Sequence, residues 1–168
     1  MTAEPVTVAV AGSLRCRAVA TPAERVAHLA IRHEVFVVEQ ALFAGSDRDA
    51  RDERPGTEHV LAWLGAVPCG TVRLYPLAAD EAPEGLAGQA VWQGDRLAVL
   101  PRFRSATVGA PLVRHAVARA GALGGEVMVA HIQLANVAFF RRLGWQPAGA
   151  VETYVGHPHQ PMAIALPG

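Results

Sequence analysis

No lysine occurs in the chain: all 15 basic residues are arginines. Schiff-base and lysine-nucleophile chemistry are thereby excluded, because both need an amine that can give up its proton and a guanidinium cannot. Cysteine is almost as scarce. Cys16 and Cys69 lie far apart and make no C-x-x-C pattern, so neither a disulfide framework nor a thiolate zinc site is expected. Net charge is missing too, with 15 Arg against 15 Asp and Glu and seven His taken as neutral. A general electrostatic grip on nucleic acid or an anionic membrane is therefore not expected. The chain has no uncharged apolar run of the ~18 residues that would span a bilayer. Nor does a basic segment followed by an apolar one open it. These absences lead to the expectation of a soluble cytoplasmic protein.

What the chain has is apolar content, 51% hydrophobic against 18% charged residues over a length of 168. That composition excludes a disordered chain. One domain spanning 1–168 buries about 68–70% of its unfolded surface at this size and needs no covalent or metal staple. Residues 1–12 read as a loose end. Leu14 to Ala20 alternates as a strand. Thr21-Pro22-Ala23-Glu24 then reads as a capped helix start, with Thr at the cap, Pro at the first helical position and Glu at the third. Val26, Ala27, Ala30, Ile31, Val35 and Val38 give that helix an apolar face, and it ends near Gln40.

Gly45 to Glu58, polar and acidic with a Pro-Gly turn, reads as a solvated loop. His59–Gly65 and Cys69–Leu77 form an antiparallel hairpin. Ala78–Gly94 is irregular, Asp95–Leu100 is a strand, and Thr107–Gly121 is a helix. Val127–Gln133 is a central strand, followed by a short helix over Asn136–Leu143 that Gly144 stops. Strands at Ala148–Tyr154 and Met162–Leu166 close the chain around a Gly156–Pro161 turn. The order predicts an α/β fold, of α+β mixed-sheet type, with one antiparallel half and a strand–turn–helix crossover.

The most informative segment is Leu97–Val113, LAVLPRFRSATVGAPLV. A strand runs into two arginines and a turn of small residues, and then into a helix. The first turn of a helix leaves amide N–H groups unbonded and carries partial positive charge, so it suits a phosphate. Ser105, Ala106, Gly109 and Ala110 allow a diphosphate close to the backbone, and Arg102 and Arg104 could add charge-assisted bonds.

This segment resembles the acetyl-CoA motif of the GNAT acetyltransferases, R/Q-x-x-G-x-G/A. Arg104 falls on its first position, Thr107 on its first Gly and Gly109 on its second. Ala130–Trp145 (AHIQLANVAFFRRLGW) resembles the family's later motif, with Gln133, Phe139, Phe140, Gly144 and Trp145 on the pattern. Phe140 stands where the family has the Tyr that reprotonates the thiolate. Ile31–Gln40 (IRHEVFVVEQ) with Asp47, Asp49 and His59, and Gly156–Met162 (GHPHQPM), are similar to segments of ElaA-type members. An R-x-x-V-F helix also occurs in the acyl-homoserine-lactone synthases. Together the matches run from residue 31 to 162.

The resemblance implies a single GNAT-like domain whose central twisted mixed sheet, flanked by helices, splays open to take acetyl-CoA as co-substrate. Leu97, Ala98 and Val99 would meet the pantetheine and acyl carbonyl. Arg104, Ser105, Ala106, Thr107, Val108, Gly109 and Ala110 would hold the diphosphate, and Gln133, Asn136 and Phe140 would complete the cofactor side. The implied reaction is N-acetyl transfer to a small primary amine, with His131, His159 or Glu39 as general base and Tyr154 as replacement acid. The acidic loop Asp47–Glu58 suits a cationic acceptor. Nothing in the His and Asp spacing demands a metal, and none is expected. A monomer or homodimer is expected, with neither nucleic acid nor membrane as partner. Three rival readings stand beside this one: an acyl-CoA sensor without turnover, motivated by Thr107 and Phe140; a signal synthase using S-adenosylmethionine; and a metal-dependent hydrolase.

Overall fold

Alternating apolar strands organise the described residues, 12–168 in the computed structural model, around one mixed sheet. Residues 1–11, most of the stretch read as a loose end, lie outside them. The strands are β1 (Leu14–Ala18), β2 (Glu58–Leu64), β3 (Val67–Pro76), β4 (Val91–Val99), β5 (Val127–Gln133), β6 (Gln146–Pro147), β7 (Glu152–Tyr154) and β8 (His157–Ala165). They lie in the order β1-β2-β3-β4-β5-β8-β6, with β7 against β8. Every pairing is antiparallel except β4 with β5. Helices α1 (Pro22–Arg32), α2 (Gly109–Ala122) and α3 (Val137–Arg142) complete the framework. Residues three apart on a strand face opposite sides. A side chain at Gly70 of β3 would meet Leu112 and Val108 at the start of α2, whereas Arg73 meets carboxylates of the 47–52 loop, which also bind Arg32 of α1. The sheet is thus covered on both faces.

The start of α1 is as the sequence predicts. Thr21 Oγ1 accepts from the Glu24 amide at 3.1 Å, and Glu24 accepts from the Ala20 amide at 3.2 Å while pairing with Arg17 at 2.8 Å. A cap of this kind contributes about 1 kcal/mol. The helix runs on from Arg32 into a π-helical turn, His33–Glu39, closed by the Gln40 amide on the Val35 carbonyl at 2.9 Å.

Its buried face differs from the aliphatic stripe. Val26 and Val38 are 67% and 68% exposed, whereas His28 and Arg32 have no exposed surface. The cause lies in the segment read as a solvated loop. Arg32 donates to Asp47 at 2.7 Å and to Asp52 at 2.6 Å. Arg73 chelates Asp95 at 2.7 Å and Asp49 at 2.7 Å, and Arg96 reaches Asp47 at 3.0 Å. These pairs draw the loop inward and turn α1 so that Arg32 faces the sheet beside Ile31, Val35 and Phe36. Removing one member of such a buried set strands its partners and costs about 3–5 kcal/mol.

Boundaries also move, among them that of the strand expected at Ala148–Tyr154, which is confined to Glu152–Tyr154. β4 begins at Val91 rather than Asp95, because Val91–Gln93 pair with β5 while Trp92 and Gln93 pair with β3. Helix α2 begins at Gly109, since Thr107 sits in the left-handed region at φ 56°. His159 lies within β8, not in a turn, because the chain reverses already at Val155–Gly156 and the strand resumes at His157.

Burial pulls His28 down to about 3 from an ordinary 6.5, with neighbouring His59 and Arg32 adding to the effect. Burial also pushes Asp52 up, but Arg32, the Asp49 amide and Arg73 outweigh it and hold the carboxyl well below the usual range. Both shifts are depressions, so the stability they contribute is present above the unfolded values and lost on acidification. Below about pH 6.5 the unfolding free energy should fall by up to about 1.4 kcal/mol per pH unit through His28 alone. Denaturant titrations at pH 7, 6 and 5 should show this slope, and His28→Phe should flatten it.

Candidate active site

The parallel ladder between β4 and β5 is short. It joins Val91–Gln93 to Val127–Val129 and then stops. Beyond it the strands part, leaving a cleft open to solvent. A β-bulge shapes the β4 side: Thr71 pairs with Ala98 and Arg73 with Asp95, so Arg96 and Leu97 together face Val72. Such a bulge bends its strand and takes the extra residue out of the ladder. Arg96 adopts φ 52° there, and its carbonyl accepts from Thr71 Oγ1 at 2.8 Å. Its buried guanidinium lies on the Phe43 ring at 4.6 Å and is held by Asp47 and Asp49. Further along, Val99 turns its carbonyl out to Arg104 Nε at 3.2 Å. Its N–H, and by alternation that of Leu97, therefore faces the open edge rather than β3.

Opposite, the strand registers gather polar side chains on one face. His159 of β8 stands across from Gln133 of β5 on one side and Glu152 of β7 on the other. His131 and Tyr154 lie two residues from Gln133 and Glu152 and so share that face. His131 and Tyr154 stack with ring centres 4.8 Å apart and planes 8° from parallel, and His159 meets Tyr154 edge-on at 5.3 Å. His159 Nδ1 donates to the His157 carbonyl at 2.9 Å, which leaves Nε2 as the acceptor. All three rings line the cleft, with Leu97, Gln133, Asn136 and Phe140. Gln133 also donates to Gln40 at 3.1 Å, tying the end of β5 to the end of the π-helical turn.

The segment 104–110 lies beside the cleft. Helix α2 has no side chain bonded to its first amides and no acidic residue in its first turn, so those donors suit an anion. Phe139 of α3 approaches Gly109 closely, 3.5 Å from where a Cβ would stand. Thr107 holds a left-handed conformation that Gly adopts more cheaply. Ala98 is buried, and Ser105 and Ala106 are exposed.

Arg104 and Glu39 are brought together rather than into the cleft. They form a bidentate pair at 2.7 and 2.5 Å, and the Arg104 guanidinium holds the Glu39 carboxyl below its usual range. A carboxylate so held is a weaker proton acceptor. The loop carboxylates Asp47, Asp49 and Asp52, expected to draw a cationic acceptor, are engaged by Arg32, Arg73 and Arg96. Sequence reasoning passed over Arg96, Phe36 and Phe43 in the cleft wall, and Glu152 behind His131. Only Phe36 carried a signal, through the segment Ile31–Gln40. Among the described residues no group of three or more His, Cys, Asp or Glu could hold a metal ion, and no helix is long and apolar enough to cross a membrane.

Residues 23–145 match the family described as acetyltransferase (GNAT). No curated protein sequence matches the chain. Among solved structures, an acyl-CoA N-acyltransferase from Pseudomonas aeruginosa is 25% identical, with TM-score 0.71 over 90% of this chain and 97% of that one. Escherichia coli ElaA is 21% identical, with TM-score 0.73 over 90% and 97%. FeeM, an N-acyl amino acid synthase from uncultured soil microbes, is 17% identical, with TM-score 0.76 over 94% and 92%. The last two are likenesses of fold.

Glu39→Gln separates two roles. If the turn at 104–110 takes the diphosphate of CoA, removing this negative charge beside it should tighten CoA binding by roughly two- to fivefold at low salt, with the gain fading as salt is added. Calorimetry at two ionic strengths reads this, and turnover at saturating donor should persist. A hundredfold loss of turnover would instead make Glu39 the base.

Proposed function

The chain belongs to the GNAT acetyltransferase family, and from that premise we propose that it transfers an acyl group, acetyl in the first instance, from acyl-CoA to a small primary amine by direct attack. One observation carries the proposal: the early end of the β4–β5 ladder opens a cleft with two imidazoles and a phenol along one wall. The thioester supplies an acyl carbon already activated for attack. The chain's part is to hold, orient and move protons. Outward N–H groups at Leu97 and Val99 polarise the acyl carbonyl, an effect worth about 3–4 kcal/mol when well aligned. Free amides at the start of α2 take the diphosphate, with Gly109 allowing close approach. An imidazole in the cleft accepts the proton of the attacking amine. Tyr154 stands in the same cleft with the hydroxyl that Phe140 lacks, and so serves as the acid toward the departing thiolate.

The acceptor is a small molecule, an amino acid or a polyamine-like amine, and neither nucleic acid nor membrane takes part; the chain works as a monomer or homodimer in the cytoplasm. The cleft's apolar wall, which includes Val72, Val113, Ala116 and Met128, supports testing donors longer than acetyl. Free thiol should appear when the protein is incubated with acetyl-, butyryl- or octanoyl-CoA and a panel of primary amines that includes S-adenosylmethionine. Amine-dependent thiol release matched by amide formation is the expected result. CoA binding without release for any amine would favour a sensor, and release confined to S-adenosylmethionine would favour a signal synthase.

A further inference from the structure

Two imidazoles line the cleft, and their partners differ in kind. His159 gives its Nδ1 proton to a carbonyl of its own strand, 2.9 Å away at His157. That bond fixes a tautomer but offers no charge to balance an imidazolium. His131 has a carboxylate behind it. Its Nδ1 lies 2.6 Å from Glu152 Oε1 and is sealed from solvent. The contact runs off the ring's N–H line, so what Glu152 sets beside Nδ1 is a negative charge more than a straight hydrogen bond, and a nitrogen so placed favours carrying the proton over a lone pair. The plane of the ring is set independently by Tyr154, stacked on it at 4.8 Å. With Nδ1 turned to Glu152, the opposite nitrogen, Nε2, is the one left to meet an acceptor.

Glu152 does not line the cleft and its side chain is half exposed. The antiparallel β7–β8 register, Glu152 against His159, brings it to the far edge of the His131 ring. Resting on the acyltransferase reading above, we propose that Glu152 is a positioning residue that makes His131 the general base. It holds the proton on Nδ1, keeps the Nε2 lone pair toward the acceptor amine, and balances the positive charge that forms on the ring. In the step so assisted, the amine nitrogen bonds to the acyl carbon and the carbon–sulfur bond breaks. One amine proton passes to His131 Nε2 and the electron pair leaves on the CoA thiolate. The imidazolium then returns a proton by way of Tyr154 or water, so that amide and free thiol are the only products.

Glu152→Gln keeps the size of the side chain and removes its charge at a half-exposed site, so folding is not at risk. It should lower kcat roughly tenfold with KM for the acyl-CoA unchanged, and Glu152→Asp should recover part of the loss. His131→Ala should lower kcat roughly a hundredfold or more, and adding Glu152→Gln to it should cost nothing further. Long-range proton–nitrogen NMR of the free protein gives a second readout that needs no turnover: His131 should carry its proton on Nδ1 in the wild type and show mixed tautomers in Glu152→Gln. Additive losses in the double variant, kcat within twofold of wild type for Glu152→Gln, or an unchanged tautomer would overturn the pairing. Wild-type protein that releases no thiol with any amine would defeat the acyltransferase reading instead, while the NMR result would still decide whether Glu152 sets the His131 tautomer.

Discussion

The structure depends on where one ladder stops. Were β4 and β5 to stay hydrogen-bonded to their ends, Gly94–Val99 and Ala130–Gln133 would close on each other and no cleft would exist. They pair over three residues only. The bulge at Arg96–Leu97 bends β4 away, and Arg96 is held in that bent state by Asp47 and Asp49 from a loop that lies far away in sequence. Local geometry and a long-range charge pair thus act on the same residue.

The wider ion network gives this arrangement its rigidity. Arg32 of α1, Arg73 of β3 and Arg96 of β4 share the carboxylates Asp47, Asp49, Asp52 and Asp95. An apolar core of equal volume would often be as stable. What ionic partners add here is direction: a guanidinium fork accepts carboxylates in few orientations, so the loop, the helix and the bulged strand are fixed relative to one another. The same pairing withdraws those carboxylates from service to a substrate, and the polar chemistry of the cleft falls to the opposite wall, where β5, β7 and β8 bring His131, His159 and Tyr154 together.

How much of this was legible in the sequence varied with the range of the physics involved. The Thr21 cap, the His59–Leu77 hairpin and the Val127–Gln133 strand depend on neighbouring residues, and local pattern sufficed for them. The turn at 104–110 and the segment Ala130–Trp145 were legible as a resemblance, which brought the mixed sheet and the cleft with it. Arg32 was legible only as the first residue of the R-x-x-V-F segment and not as a buried group: a charged residue between Ile31 and Val35 reads as a solvent-facing break in an apolar stripe until its carboxylate partners from the loop are known. Val91–Gln93 follow an Ala-, Gly- and Pro-rich stretch, and two strand-forming residues, Val91 and Trp92, are too short a local signal without the pairing that β3 and β5 supply. Glu152 carried no signal either, since its place beside His131 follows from the β7–β8 register alone.

Whether the gap between β4 and β5 is an acyl-CoA site can be seen in a crystal structure of the protein with CoA. The pantetheine arm should lie between Leu97–Val99 and Ala130–Gln133, with the diphosphate on the amides that begin α2. CoA found elsewhere on the surface, with β4 and β5 still parted around solvent, would contradict it.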